Sequence, residues 1–279
     1  MNIDSDPRSE FFAPAEAELA ERFVRDGHVI FPAEDVAGLE RVRAATAEIA
    51  AKALGIDAPI GSGADAGAFL DGVHEHVDVE RLNDFRLAVI AGLNDLPWLR
   101  ATYYGLARAA LASLVGNELA MQRRINLSIQ LPDDASSLLP VHADVWSGDS
   151  PFEVVVWLPL VDCRKTKSMY LLSPARNAEI HADMASFRAK SAEDLYNEIE
   201  PDVTFLDIAY GQVLVFSQNI LHGNIVNREP ETRWTMNCRF KSLFSPYADK
   251  KLGEFFDPIT LRAATRMGLD YRLPEGLDD

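Results

Sequence analysis

Cysteine, basic residues and long apolar runs are all scarce in this chain. Only two cysteines, Cys163 and Cys238, occur among 279 residues. Disulfides therefore cannot form the framework of the fold, and we expect two reduced thiols in or near the core. The longest apolar runs span about eight residues, as in Val154–Val161, whereas a helix that crosses a bilayer needs about 20. The sequence predicts no integral membrane segment.

Lysine and arginine number 27 against 43 aspartates and glutamates, which gives a net charge of −16. So acidic a surface repels phosphate backbones and anionic lipids, and nucleic acid is not expected as a partner. The first residues, MNIDSDPRSE, contain neither a basic n-region nor an apolar h-region, which predicts a cytoplasmic protein. A small-molecule substrate suits this composition, and a homo-oligomer is left open.

Apolar spacing divides the chain into a helical half and a strand-rich half. Spacings of three and four predict helices at 14–25, 36–54, 79–93 and 96–115, with Pro97 in the first turn of the last helix. A short strand is predicted at 28–31. From Leu119 the period changes to two, and this predicts strands at 120–131, 152–160, 168–172, 203–207, 212–216 and 233–244.

Helices followed by closely spaced strands predict an α+β fold, in which a jelly roll (a double-stranded β-helix) packs against N-terminal helices. We expect a single domain over 1–279, with a mainly helical portion at 1–118, the jelly-roll core at 119–247 and a tail at 248–279. Residues 55–75, which include GSGADAG at 61–67, are predicted to form a loop that could cover a pocket. Residues 176–200 are predicted to be an inserted loop with some helix.

Among six histidines, His142 is distinguished by Asp144 two positions further on. In a strand, residues i and i+2 point to the same face, so this imidazole and this carboxylate are expected to converge. The spacing alone allows a metal site, an acid–base pair or no function. His222, which follows the GQVLVFS strand, is the candidate third ligand. Two histidines and one carboxylate form the facial triad of non-haem iron(II), which leaves coordination positions open for substrates.

Arg233 lies eleven positions after His222, and its planar guanidinium can hold a carboxylate through two parallel hydrogen bonds. Thr235 shares its strand face and can add a hydroxyl. This strand alternates polar residues (Arg233, Thr235, Asn237, Arg239, Lys241) with apolar ones (Trp234, Met236, Cys238, Phe240). We expect the polar face to line a barrel interior and the apolar face to pack on helices, the alternative being a solvated face over a core. The segment RRINLSIQLP (123–132) repeats the alternation with Arg124, Asn126, Ser128 and Gln130.

These motifs resemble the phytanoyl-CoA-dioxygenase-like branch of the iron(II)- and 2-oxoglutarate-dependent oxygenases. The resemblance rests on DGHVIFP (26–32), the His142-Ala143-Asp144 motif, GQVLVFSQNILHGN (211–224) and Arg233. Residues 222–247 look closer still to a bacterial subgroup found among carbohydrate-cluster oxygenases, of which the hydroxylase of the lipopolysaccharide sugar Kdo looks like a relative. The resemblance covers about residues 14–247, and its helical region 55–115 contains no diagnostic motif.

The resemblance implies that Fe(II) is bound by three catalytic residues, His142, Asp144 and His222, with 2-oxoglutarate and O₂ as cosubstrates. Arg233 would hold the distal carboxylate of 2-oxoglutarate. Further implied cosubstrate contacts are Thr235, which stands where serine is common, Asn224 and Gln130. Halogenating relatives lack the carboxylate at the position of Asp144, so its presence implies hydroxylation or another oxidation.

The implied reaction is oxidation of a carbohydrate or sugar-containing metabolite, with release of succinate and CO₂. Candidate walls of the substrate pocket are Trp146, Trp157 and Tyr170, whose alternative role is core packing. Arg239 belongs to a local basic set with Arg123, Arg124 and Lys241. If these side chains point into the barrel, they favour an anionic group on the substrate; otherwise they pair with carboxylates.

Other functions stay open. The chain could be a non-catalytic jelly-roll ligand-binding module, or it could apply the same oxygenase chemistry to a non-sugar secondary metabolite. A cupin-like isomerase is disfavoured because it would leave Arg233 without a purpose. His74 and His76 have metal-ligand spacing but no implied third ligand, so a surface or substrate-loop role is expected. His181 lies in the predicted insertion and is expected to be exposed.

Overall fold

The computed structural model describes residues 11–57, 63–188 and 190–275. The N-terminal half contains α1 (Pro14–Asp26), β1 (His28–Pro32), α2 (Val36–Leu54), α3 (Gly63–Asp71), α4 (Val79–Asn94), α5 (Leu99–Gly105) and α6 (Arg108–Leu114). The rest contains β2 (Leu119–Gln122), β3 (Asn126–Gln130), β4 (Glu153–Pro159), β5 (Tyr170–Leu172), α7 (Pro174–Ala182), α8 (Ala192–Ile199), β6 (Val203–Phe205), β7 (Gln212–Ser217), β8 (His222–Gly223), β9 (Arg233–Ser242), β10 (Phe256–Pro258) and α9 (Ala263–Asp270).

Helix α2 shows how local sequence sets the limits of an element. The Asp35 side chain accepts a hydrogen bond from the Gly38 N–H (2.9 Å), which satisfies one of the unpaired donors of the first turn. Gly55 ends the helix in the left-handed conformation (φ 71°) that glycine adopts without strain. Between these caps, Leu39, Val42 and other residues at spacings of three and four are buried. The predicted limits of this helix, 36–54, are confirmed.

Two antiparallel sheets form the strand-rich half. The large sheet has the order β1-β7-β4-β9-β2-β10, and β3 also pairs with β9. The small sheet has the order β6-β5-β8. The long strand β9 accommodates both β2 and β3, because β3 pairs with its first half, Arg233–Asn237, and β2 with Phe240–Ser242. The predicted combination of helices with antiparallel sheet is confirmed.

The apolar face of β9 packs on the helices, as expected. Trp234, Met236, Cys238 and Phe240 are fully buried within one core cluster that also contains residues of α2 and α4. The Trp234 indole donates to the Leu70 carbonyl (2.7 Å) and meets the ring of Phe85 edge-on, with centroids 5.9 Å apart. Burial of a side chain of this size stabilises the fold by about 1.5–3 kcal/mol. The opposite face of β9 is thereby directed away from the helices.

Three predicted elements are wrong in part. The predicted helix 96–115 is two helices, and Pro97 lies in the turn before α5. The break is stabilised by the Glu34 carboxylate, which accepts from the backbone N–H groups of Ala109 and Ala110 at the start of α6. The predicted strand 120–131 is interrupted at 123–125, where the Arg123 N–H bonds to the Phe255 carbonyl instead.

The predicted loop 55–75 is also wrong in part, because 63–71 form α3, with Ala66 and Leu70 buried against the core. Helix formation here follows from long-range packing, since Leu70 also accepts the hydrogen bond from Trp234. Residues 58–62 of that prediction lie outside the described residues.

The predicted insertion 176–200 is largely helical, and the hydroxyls of Ser173 and Ser191 cap the first turns of α7 and α8. Its apolar residues join a second core cluster around Tyr170 and Leu221. Both cysteines are free and buried, in agreement with the prediction. No helix within the described ranges is long and apolar enough to cross a membrane.

Candidate metal centre

His142, Asp144 and His222 come together at the edge of the small sheet. One ligand atom from each side chain lies within 4.8 Å of those from the other two. His142 pairs with His222 through an isolated antiparallel bridge, and Asp144 begins one turn of 3-10 helix, Asp144–Ser147. The expectation of a regular strand through His142 and Asp144 is therefore wrong. The two side chains nevertheless converge, with His142 Nε2 3.5 Å from Asp144 Oδ1.

Each histidine ring is oriented by a carbonyl two residues before it. His142 Nδ1 lies 2.8 Å from the Pro140 oxygen, and His222 Nδ1 lies 2.8 Å from the Ile220 oxygen. A carbonyl accepts only, so Nδ1 must carry the proton in both rings. Nε2 then presents its lone pair towards the other two ligands, which is the arrangement that metal-binding histidines use.

Burial and neighbouring groups favour the metal-binding protonation states of His222 and Asp144. Burial lowers the pKa of His222 to about 4. Burial alone would raise the pKa of Asp144. Interactions with the nearby His142 and with the charge of Arg239 outweigh it, so the pKa lies well below its ordinary value. A neutral imidazole and an ionised carboxylate are the forms that bind a metal ion.

A cavity of about 370 Å³ opens beside the cluster. Its polar lining comes mainly from the inward faces of β3 and β9: Asn126, Ser128, Arg233, Thr235, Asn237 and Arg239. Its apolar lining comes from Leu139, Val155, Trp157, Met169 and Phe216. The expectation that the polar face of β9 lines an interior is confirmed for Arg233, Thr235, Asn237 and Arg239, but not for Lys241.

Arg233 contributes a buried guanidinium to this cavity. Its Nη2 donates to Ser128 Oγ (3.1 Å), its Nη1 lies 3.5 Å from the Ser168 carbonyl oxygen, and its Nε has no hydrogen-bond partner. Burial lowers its pKa to about 10, so the group remains charged at neutral pH. No carboxylate in the described part of the chain pairs with it, and the Ser168 hydroxyl is likewise buried without a partner. Such a cation is costly unless a ligand supplies the missing acceptor.

The other three residues expected to contact a cosubstrate lie at different depths. Thr235 is buried and lines the cavity beside Arg233. Asn224 also lines it, and its Oδ1 accepts from the Leu139 N–H (2.6 Å). Gln130 lies behind Asn224: its Nε2 donates to the Ile225 carbonyl (2.7 Å), and its side chain is outside the cavity lining.

Of the three aromatic residues expected at the pocket, one lines the cavity and two lie outside its lining. Trp157 is buried and forms part of the cavity wall. Trp146 is 46% exposed and lies next to the ring of His181, outside the lining. Tyr170 belongs to the second core cluster, where it packs on Tyr196. Tyr170 therefore has the alternative role, which is core packing.

Arg239 reaches the metal cluster itself. Its Nη2 donates to Asp144 Oδ1 (2.9 Å), and its Nε donates to Gln218 Oε1 (2.8 Å) and lies 3.3 Å from Asp149 Oδ1. Asp149 is buried and also pairs with Lys250. The sequence offered no signal for Asp149 or Gln218, because neither belongs to a recognisable pattern.

The rest of the basic set points away from the cavity. Arg123 and Arg124 are exposed, and Arg123 pairs with Asp257 (2.9 Å). Lys241 is buried and donates to the carbonyls of Ser245 and Pro246. The alternative, pairing with carboxylates, therefore describes Arg123 and Arg239, while Lys241 is satisfied by backbone carbonyls.

The remaining histidines stay outside the cluster. The imidazole of His74 bonds to Thr232 Oγ1 (3.0 Å), and His76 is exposed. His181 is half-buried rather than exposed, since it packs against Trp146, and burial lowers its pKa. Within 11–57, 63–188 and 190–275, only the cluster at His142 has three residues placed to hold one metal ion.

No protein-family model matches the chain, and no curated protein matches it in sequence. Among solved structures, the non-heme monooxygenase ThoJ in complex with nickel is 21% identical with a TM-score of 0.55, over 92% of this chain and 89% of that one. The non-heme alpha ketoglutarate dependent carbocyclase SnoK from nogalamycin biosynthesis is 16% identical with a TM-score of 0.52, over 90% and 98%. The chain shares the fold of these two proteins.

Proposed function

We propose that this chain is a non-haem iron(II)- and 2-oxoglutarate-dependent dioxygenase that hydroxylates or otherwise oxidises a small molecule. The observation that carries the proposal is Arg233, a buried cation without a carboxylate partner, which opens into the same cavity as the His142–Asp144–His222 cluster. A dicarboxylate that reaches from the metal to Arg233 would satisfy both ends at once.

The donor set fits the metal, and the cavity fits the cosubstrate. Two imidazoles and one carboxylate are the protein ligands typical of iron(II) sites that keep positions open for substrates. Arg233 lines the cavity, and its unpaired Nε is a donor left for an acceptor on a ligand. The fold shared with two non-heme enzymes, one described as alpha ketoglutarate dependent, supports the same proposal.

In this proposal the side chains bind, orient and exclude water. His142 and His222 present Nε2 lone pairs, Asp144 presents a carboxylate, and Arg233 with Thr235 holds the distal carboxylate of 2-oxoglutarate. The bound iron and 2-oxoglutarate would supply the oxidising chemistry, with consumption of O₂ and release of succinate and CO₂. The buried walls Trp157 and Phe216 keep bulk water from this charged site.

Finer parts of the proposal come from the sequence. We propose that the two sheets are the halves of a jelly roll, that 1–279 is one domain, and that the chain belongs to the phytanoyl-CoA-dioxygenase-like branch. The proposed substrate is a carbohydrate or sugar-containing metabolite. The neutral amides of Asn126 and Asn237, next to the flat indole of Trp157, support it, because sugars offer hydroxyls and apolar faces. A cytoplasmic location stays a prediction.

The test is an anaerobic titration of the protein with iron(II) and then 2-oxoglutarate. The proposal predicts the visible metal-to-ligand charge-transfer band that appears when a keto acid chelates iron. It also predicts iron-dependent succinate formation with a substrate. If the band fails to form, and 2-oxoglutarate does not bind, the non-catalytic jelly-roll binding module becomes the better description.

A further inference from the structure

Once the proposed iron and 2-oxoglutarate are bound, every charged group that lines the cavity has a partner. Among the described lining residues they are the three cluster ligands, Arg233 and Arg239. The cluster ligands would face the metal, and Arg233 would face 2-oxoglutarate. Arg239 pairs with Asp144 and Asp149, and all three of its side-chain nitrogens have partners within the protein. No lining charge is left for a substrate.

The polar groups that remain are uncharged, and their orientation is fixed. Arg239 donates from its backbone N–H (3.2 Å) and from Nη1 (3.4 Å) to Gln122 Oε1, so the Gln122 amide must place its oxygen there. Gln122 Nε2 then donates to Asn126 Oδ1, and Asn126 Nδ2 donates to Asn237 Oδ1 (3.0 Å). The chain of bonds leaves Asn237 Nδ2 as a neutral donor at the cavity wall, available to an oxygen atom of a ligand.

The other walls and the mouth are apolar. Val155, Trp157 and Phe216 line the interior and are nearly fully buried. At the mouth, Leu139 lines the cavity while 54% exposed, and its neighbour Leu138 is 39% exposed. Exposed leucines at the entrance to a pocket give apolar surface to a bound molecule rather than to the core.

We propose that the substrate binds as an uncharged molecule with an apolar face. This inference rests on the proposed function, because it assigns Arg233 to 2-oxoglutarate and the cluster to the metal. A substrate carboxylate, phosphate or ammonium would enter this cavity with no opposite charge to meet it, and the uncompensated desolvation of a charge outweighs the gain from contacts. A neutral hydroxyl or carbonyl loses far less and finds the Asn237 amide.

The test compares neutral and charged forms of the same ring. The protein is loaded with nickel(II), which does not turn over, and with 2-oxoglutarate. Two triplets are titrated by ligand-observed NMR: methyl β-D-glucoside, D-glucuronate and D-glucosamine; and benzyl alcohol, benzoate and benzylamine. Enhanced relaxation by the paramagnetic nickel identifies probes that bind beside the metal. We expect at least one neutral probe to bind there, about tenfold or more tighter than its charged partners.

A charge introduced at the mouth provides the matched control. Ser147 lines the cavity and is exposed, so its substitution leaves the core intact. Ser147→Asp is expected to raise the affinity for the ammonium probe of a triplet at least about threefold relative to the neutral probe, whereas Ser147→Asn keeps the wild-type ranking.

The proposal is overturned if a charged probe binds beside the metal as tightly as its neutral partner, or if neither neutral probe binds there. Failure of the proposed function would appear in a different measurement. The protein would then take up neither nickel nor 2-oxoglutarate, whatever the ranking of the probes.

Discussion

His142 and His222 face each other directly across two antiparallel segments, and each donates its backbone N–H to the carbonyl of the other, at 3.0 and 2.9 Å. Their ring centroids lie 4.3 Å apart. Backbone pairing therefore sets the separation of two candidate metal ligands that are far apart in the sequence, before any metal binds. The site needs little reorganisation to accept an ion, which favours affinity.

Removal of a candidate ligand should abolish tight metal binding. His222→Ala deletes one of three donors, and we expect the affinity for nickel(II) or iron(II) to fall by more than the roughly 10–100-fold that changes around a ligand cost. Calorimetric titration measures it. His74→Ala is the matched control, because that half-buried histidine bonds to Thr232 away from the cluster. Retention of wild-type affinity in His222→Ala would refute the assignment.

Arg233→Met should stabilise the protein while it abolishes binding of 2-oxoglutarate. The wild-type guanidinium is buried with one good hydrogen bond and an unpaired Nε. Its replacement by a shorter, apolar side chain removes a desolvation cost, and we expect about 1–3 kcal/mol of added stability in urea denaturation.

The second half of this prediction concerns the stabilisation of the protein by bound 2-oxoglutarate. Saturating 2-oxoglutarate, at about 100 times its Kd in the presence of nickel, should stabilise the wild type by about 2.7 kcal/mol and leave Arg233→Met unchanged. Arg233→Lys keeps the charge but not the planar fork, and should bind 2-oxoglutarate weakly. Equal stabilisation of all three proteins would mean that Arg233 does not hold the cosubstrate.

Asp149→Ala should be strongly destabilising. Asp149 is 2% exposed and is a counter-charge for Arg239, which in turn pairs with Asp144. Truncation leaves the buried Arg239 short of negative charge, and we expect a loss of about 3–5 kcal/mol in the free energy of unfolding. Lys250→Ala removes the more exposed partner of Asp149, 24% exposed, and should cost about 1 kcal/mol. Equal costs for the two variants would contradict this account.

Lys241 should make stability rise with pH in the alkaline range. Burial lowers its pKa to about 8, which the charge of Glu153 opposes. In the unfolded chain the lysine keeps its proton to about pH 10.4. The unfolded state therefore binds more protons between these values, and the free energy of unfolding rises with pH across this window.

The magnitude of this effect is up to about 3 kcal/mol, from the difference between the two pKa values. Below pH 8 the cost of the buried ammonium is fully present, and it is relieved as pH increases. Lys241→Met removes the group, so the wild type should gain stability relative to the variant between pH 8 and 10. Burial raises the pKa of Tyr247, whose ring lies 3.3 Å from Lys241 Nζ. A constant difference between the two proteins would show that Lys241 does not titrate there.

Residue type and spacing were enough to select the main residues of the candidate site, although His142 and Asp144 do not share a regular strand. His142, Asp144 and His222 were chosen from residue type and position, and the structure brings them together. The inward polar face of β9 followed from strict alternation over Arg233–Ser242, because side-chain direction in a strand is a local property. The limits of helix α2 were also determined locally, because the residues that cap it, Asp35 and Gly55, lie next to it in the sequence.

The predictions failed where contacts with residues distant in the sequence determine the local structure. The helix predicted at 96–115 breaks because Glu34 caps a new start at Ala109. Residues 63–71 become α3 because Leu70 packs under Trp234. Gln130 has the parity of Ser128, yet it bonds to Ile225 and Asn224 behind the cavity.

The sequence by itself determined which residue types could hold a metal and which strand faces were polar, because periodicity and donor chemistry are properties of short segments. Only the tertiary structure decided which charges remain free. Arg233 and Arg239 lie on the same face of one strand, but Asp144 and Asp149 neutralise Arg239 and leave Arg233 without an acid. Burial and ion pairing depend on segments brought together by folding, and that difference supports the proposal that Arg239 serves the metal cluster and Arg233 binds a ligand.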